Sequence, residues 1–231
     1  MSIREEFEKR ERNFMSPFGC LSAESQGRDT EETPCPVRTA FQLDRDRIVY
    51  CNAFRRLKHK TQVFLSPLGD DYRTRLGHTP FGHSGEIALR EIYSPDFAHN
   101  EQSLRVVEVL ENNGKGLNLT YEVRDGILKH SKGFGKIIPE DPAETACTYE
   151  GIIVRIADIM AYLNHDLEDA IRSRVVDAAQ VPKSCSAILG YSHSQRATTM
   201  IRDLISASSD FDGKLCLQLS DDVHSAMMRL R

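Results

Sequence analysis

The sequence predicts an all-α protein. Apolar residues recur at helical spacing over long stretches, runs of strand-type alternation are few, and nothing repeats or is low in complexity. The run Ile152-Ile-Val-Arg-Ile-Ala-Asp-Ile-Met-Ala-Tyr-Leu is apolar nearly all round, as a buried central helix requires.

In chain order, residues 3–15 predict a charged amphipathic helix with Ile3, Phe7 and Phe14 on one side. Residues 16–38, with Pro17, Gly19, Gly27, Pro34 and Pro36, predict an irregular arm. From Asp44 the pattern turns helical, with Ile48, Cys51, Phe54 or Ala53, and Leu57 on one face and Arg45, Arg55, Arg56 and Lys58 on the other. Residues 99–112 predict a helix with Leu104, Val107 and Leu110 facing in and Gly114 after its end. Residues 119–130 predict another, and the longest runs from about Thr148 to Ser173. Weaker helices follow Pro182 over residues 195–207 and 218–230. Met228-Arg-Leu-Arg lies inside an amphipathic pattern with no stop signal, which predicts a truncated C-terminus. The expected organisation is a helix and arm over 1–43, then one helical domain over 44–231.

Composition narrows the function. The net charge of −4 and pI near 6.1 argue against a general nucleic-acid coat or a membrane-surface protein. No apolar run approaches a membrane span, and the charged N-terminus resembles no export signal. The scattered cysteines Cys20, Cys35, Cys51, Cys147, Cys185 and Cys216 form no Cys-x-x-Cys pair and predict free thiols in the cytoplasm.

The stretch Arg73-Thr-Arg-Leu-Gly-His-Thr-Pro-Phe-Gly-His-Ser-Gly-Glu86 carries the chemistry. Gly77, Pro80 and Gly82 predict a loop, and a helix starting after Gly82 holds His83 and Glu86 on one face. Arginines suit phosphate oxygens and histidines suit proton transfer or metals, so a phosphorylated substrate is expected. A polar turn between two helices is the alternative. In the central helix, Arg155, Asp158, Tyr162, His165 or Asp166, and Asp169 fall on one polar stripe. A carboxylate there is either paired with Arg155 three residues back or bound to a metal, and spacing alone leaves both open.

Several stretches together carry a family resemblance. They are Asp44-Arg-Asp-Arg-Ile, Ala53-Phe-Arg-Arg-Leu-Lys-His-Lys-Thr-Gln-Val-Phe, Gly69-Asp-Asp-Tyr-Arg-Thr-Arg-Leu, Gly77-His-Thr-Pro-Phe-Gly-His-Ser-Gly-Glu and His99-Asn-Glu-Gln-Ser-Leu-Arg. Gly116-Leu-Asn-Leu-Thr-Tyr-Glu-Val-Arg-Asp-Gly-Ile-Leu and Ile156-Ala-Asp-Ile-Met-Ala-Tyr-Leu-Asn-His-Asp continue the series. In that order they resemble the deoxyguanosine triphosphate triphosphohydrolase-like proteins, HD-domain metal-dependent phosphohydrolases. The resemblance implies an HD-type helical fold and hydrolysis of a deoxynucleoside triphosphate to deoxynucleoside and tripolyphosphate. Water assisted by a divalent metal, Mg or Mn, would attack the α-phosphate. It assigns Asp158 to the metal, His83 to the leaving 5′ oxygen with Glu86 orienting it, and His78, His99 and Arg75 to the triphosphate. Gln62, with Val63 beside it, would read the sugar 3′-hydroxyl, and Tyr162 would pack on the deoxyribose. Homo-oligomers are implied, and single-stranded nucleic acid is a further partner class.

The sequence departs from the family where Leu76 runs directly into Gly77-His78. The family has between them a His, a helical stretch and the His-Asp doublet that supply the other metal ligands. Asp71 stands in place of a His, and Tyr50-Cys-Asn in place of His-Ser. An internal deletion is therefore expected, with part of the central helical core missing. The alternative function is a catalytically impaired member that acts by binding nucleotide or nucleic acid, through Arg55, Arg56, Lys58, Lys60, Arg73 and Arg75, or by joining oligomers.

Overall fold

Reciprocal capping opens the first helix, α1 (Ile3–Phe14). The Ser2 hydroxyl accepts from the Glu5 N–H and the Glu5 carboxylate accepts from the Ser2 N–H, an arrangement worth about 1 kcal/mol. The computed structural model describes residues 2–56, 82–131 and 135–231. The side expected of Ile3, Phe7 and Phe14 is not core: α1 buries no residue, and Phe14 is 90% exposed. Polar contacts hold α1 instead. Glu11 accepts from the N–H and hydroxyl of Ser22 and from the Thr39 hydroxyl.

The arm that follows is irregular, as its prolines and glycines predict, and it is pinned by charge. The Arg28 guanidinium pairs with Asp44 and Glu32, and Arg47 pairs with Glu32. The Ser25 hydroxyl and the Gln26 N–H donate to Glu122.

Thr39 caps α2 (Ala40–Tyr50) with Gln42 in a second reciprocal box, so the helix starts before the apolar pattern at Asp44 suggests. The single helix expected through Leu57 is broken. Cys51 is extended, and α3 (Asn52–Arg56) begins anew because the Glu111 carboxylate accepts from the N–H groups of Asn52 and Ala53.

The helix expected after Gly82 begins at Gly82 itself: α4 spans Gly82–Ile92. The helix expected over 99–112 is α5 (His99–Arg105) followed by a π-helical turn, Val106–Leu110. That turn rotates the inward face. Val106 and Val107 are both buried, whereas Leu110, expected inside, is exposed. The single turn α6 (Glu111–Gly114) carries Asn112 and Asn113 in left-handed conformation. Gly116 then has φ +72, and a Cβ there would lie 2.0 Å from the Glu108 carbonyl oxygen. Next, Asp44 accepts from the N–H and hydroxyl of Thr120, which leads into α7 (Tyr121–Lys129).

The longest helix, α8 (Tyr149–Arg172), is where the apolar run predicts it. Contacts divide the chain into two compact units, residues 1–133 with 141–154, and residues 134–140 with 155–231. The arm, α2 to α5 and α7 belong to the first. In the second, Ile156, Ile159, Met160 and Leu163 of α8 are buried, as are Leu189 of α9 (Lys183–Leu189) and Met200 of α10 (His193–Ala207). Val223 and Met227 of α11 (Asp221–Leu230) complete this core, and α9 packs on both α10 and α11. The described residues hold one small sheet, the hairpin of β1 (Ser209–Phe211) and β2 (Lys214–Cys216). All else regular is helical. Among the described residues no helix is long and apolar enough to cross a membrane, and all six cysteines are free.

Candidate functional site

In the first unit, a carboxylate and an imidazole are buried against each other. Glu86 lies on α4 and His99 opens α5, and their exposures are 5% and 6%. Glu86 Oε2 accepts from His99 Nδ1–H at 3.0 Å, and Oε1 accepts from the His99 backbone N–H at 3.3 Å and from Arg90 Nη2 at 2.8 Å. Local structure explains each contact. Arg90 stands four residues beyond Glu86, one turn along the same helix face. The His99 N–H belongs to the first turn of α5, whose N-cap residue, Ala98, has no side chain to satisfy it, so Glu86 does so from α4. Arg90 Nε also donates to the Phe97 carbonyl at 2.7 Å, which ties the intervening turn to α4.

Burial works to raise the Glu86 carboxyl, but the charge and hydrogen bonds of His99, with Arg90, outweigh it and hold the group below the ordinary carboxylate range. A carboxylate only accepts, so His99 carries its proton on Nδ1. The ring of His130, at the end of α7, stands edge-to-face with His99 at 5.4 Å between centroids. Its Nδ1 lies 2.7 Å from the Ile127 carbonyl, which fixes the His130 tautomer in the same way. Sequence reasoning did not single out His130. Its one cue is a histidine closing an amphipathic helix, too common a pattern to select it.

The expected site residues divide between the two units and the part of the chain not described. Glu86 and His99 come together. Resemblance gave Glu86 the task of orienting His83; its described partners are His99 and Arg90. His83 stands in the first turn of α4, three residues before Glu86. Gln62, Val63, Arg75 and His78 lie outside the described residues. Asp158 and Tyr162 lie one turn apart on α8, in the second unit, both partly buried. Burial raises the Tyr162 phenol above its ordinary range, against the opposing charge and hydrogen bond of Arg231. Arg155, buried on the same helix, donates from Nη2 to the Lys136 carbonyl.

Among the described residues, no three His, Cys, Asp or Glu side chains converge on a point that could hold a metal ion. By themselves they do not supply the ligand set of a divalent-metal centre.

No family model matches the chain. Curated relatives do. A deoxyguanosinetriphosphate triphosphohydrolase-like protein of Desulfatibacillum aliphaticivorans is 56% identical over all of this chain and 75% of its own length. Proteins of the same description from Caldanaerobacter subterraneus subsp. tengcongensis and Clostridium perfringens are 47% and 40% identical, again over the whole chain and over 74% and 76% of theirs. The chain belongs to the deoxyguanosinetriphosphate triphosphohydrolase-like proteins. The match to the Desulfatibacillum protein spans 264 positions, against the 231 residues of this chain. The relative therefore has residues inside the aligned span that find no counterpart here.

Proposed function

We propose that this chain hydrolyses a deoxynucleoside triphosphate, dGTP among them, to the deoxynucleoside and tripolyphosphate. The observation that carries the proposal beyond the family name is the buried Glu86–His99 pair. A histidine with Nδ1–H held by an ionised carboxylate can take up a proton at Nε2 and return it, with the carboxylate stabilising the imidazolium in between. Hydrolysis at the α-phosphate needs such a group to protonate the leaving 5′ oxygen. His83 is the second candidate for that step, from its place one turn ahead of Glu86. The remaining roles rest on the resemblance: Arg75, His78 and His99 toward the phosphates, Gln62 with Val63 at the 3′-hydroxyl, and Tyr162 against the deoxyribose. Asp158 is proposed as a carboxylate contact to Mg or Mn.

Single substitutions separate these roles. If His83 is the general acid, His83→Ala removes turnover and leaves nucleotide binding in place, whereas unchanged turnover would move the step to His99. Asp158→Asn should lower metal affinity in calorimetry; a change in stability alone would make it a structural residue.

The shortfall of this chain against the aligned span of its relatives supports a second function, that of a family member which binds nucleotide or assembles into homo-oligomers without turning over. Nucleotide bound with no product formed would favour it.

A further inference from the structure

The first unit contains a cavity of about 410 Å³, in the range of small-molecule sites. Its walls are mostly apolar, built from α2, α3, α5, α7 and the start of α8, with Phe41, Ile48, Phe54 and Ile127 among them. Two features make it more than a void. Its charged lining is one-sided: Glu122 and Glu150 border it, and among the described residues no lysine or arginine does. The two carboxylates also differ. Glu122 is used by the arm, its oxygens accepting from Ser25 and Gln26. Glu150 accepts from the Cys20 N–H through Oε1 at 3.1 Å, while its Oε2 is buried and has no hydrogen-bond partner among the described residues. A buried carboxylate oxygen without a donor is costly, so a donor in the cavity would be bound favourably. His130, whose Nδ1 donates to the Ile127 carbonyl, adds a second polar group to the lining.

We infer that this cavity binds a small organic cation, a flat apolar body ending in N–H donors, with Glu150 as its anionic anchor. The apolar walls take the body, and Glu150 Oε2 receives a charge-assisted hydrogen bond from the amidinium or ammonium end. Ser103 and Val107 place one wall on the helix that begins at His99, and the Ser103 hydroxyl donates to the His99 carbonyl. An occupant therefore also braces the helix that presents His99.

Benzamidine is the probe, with toluene and benzoate as its apolar and anionic counterparts, titrated into the full chain by calorimetry and by thermal melting. Benzamidine should bind and raise the melting temperature with concentration, toluene should bind more weakly, and benzoate should not bind. Glu150→Gln keeps the acceptor for Cys20 and should weaken benzamidine binding roughly tenfold or more. Val154→Trp, at a half-exposed position of the lining, should block binding without unfolding the chain. No benzamidine binding, binding unaffected by Glu150→Gln, or toluene binding as tightly as benzamidine would each overturn the inference.

Discussion

Replacing Glu86 by glutamine tests the buried pair with little change of shape. Among the described residues three donors converge on the carboxylate: Arg90 Nη2–H, the His99 N–H and His99 Nδ1–H. A glutamine offers one oxygen and turns an amide NH₂ toward a remaining donor. At least one charge-assisted hydrogen bond is lost in a site where Glu86 is 5% exposed, a cost of about 2 kcal/mol. In a chain of this length that lowers the melting temperature by roughly 4–8 °C. The effect must also depend on pH. The folded-state pKa of Glu86 lies below the ordinary value of 4.5, so its contribution is fully present above about pH 4.5 and is lost as pH falls through the folded value. Glutamine has no such dependence. Urea unfolding of wild type and Glu86→Gln, followed by circular dichroism, should show the full gap at about pH 7 and a closing gap below about pH 4.5. A gap that stays constant across that window, or no gap at neutral pH, would refute the ionised, hydrogen-bonded pair.

Asp44→Ala should destabilise the chain by about 2–3 kcal/mol in the same assay, because it removes one of the two carboxylates that pair with Arg28 and leaves the buried Thr120 without its acceptor; a loss under about 1 kcal/mol would count against this network. Gly116→Ala should cost far more than Gly27→Ala. Both glycines have positive φ, but an added Cβ meets the Glu108 carbonyl at Gly116 and nothing within 4 Å at Gly27. Equal unfolding midpoints for the two variants would contradict the close approach. Among the free thiols, Cys35 should be alkylated first by iodoacetamide near neutral pH. Backbone N–H groups of Val37 and Arg38, then the Arg38 side chain, lower its pKa to about 7, while burial first and nearby carboxylates second push Cys20 up to about 11 and Cys147 up to about 12. Mass spectrometry of tryptic peptides reads the order, and Arg38→Ala should slow the Cys35 reaction.

Periodicity carried the long elements because their packing is local. The apolar run from Ile152 to Leu163 predicts a helix buried all round; α8 is a helix there and buries Ile156, Ile159, Met160 and Leu163, but Ile153 and Val154 are exposed, so the burial is one-sided. What escaped the sequence depends on contacts between distant residues. The break at Cys51 is made by Glu111, some sixty residues on, which supplies a cap no local pattern encodes. The π turn at Val106–Leu110 leaves the apolar spacing looking like one continuous helix, so the spacing alone puts Leu110 inside. α9 is seven residues long and too short to show a period, yet it buries Cys185 and Leu189. At the site, Glu86 and His99 were each legible as reactive residues. That Glu86 turns to His99 follows from the bend between α4 and α5, which brings together residues thirteen apart in the chain.

The most direct test of the proposed function is product analysis after incubating the purified chain with dGTP and Mg or Mn. Equal amounts of deoxyguanosine and tripolyphosphate are predicted. Bound dGTP with no deoxyguanosine formed, or release of pyrophosphate or orthophosphate in place of tripolyphosphate, would contradict the account.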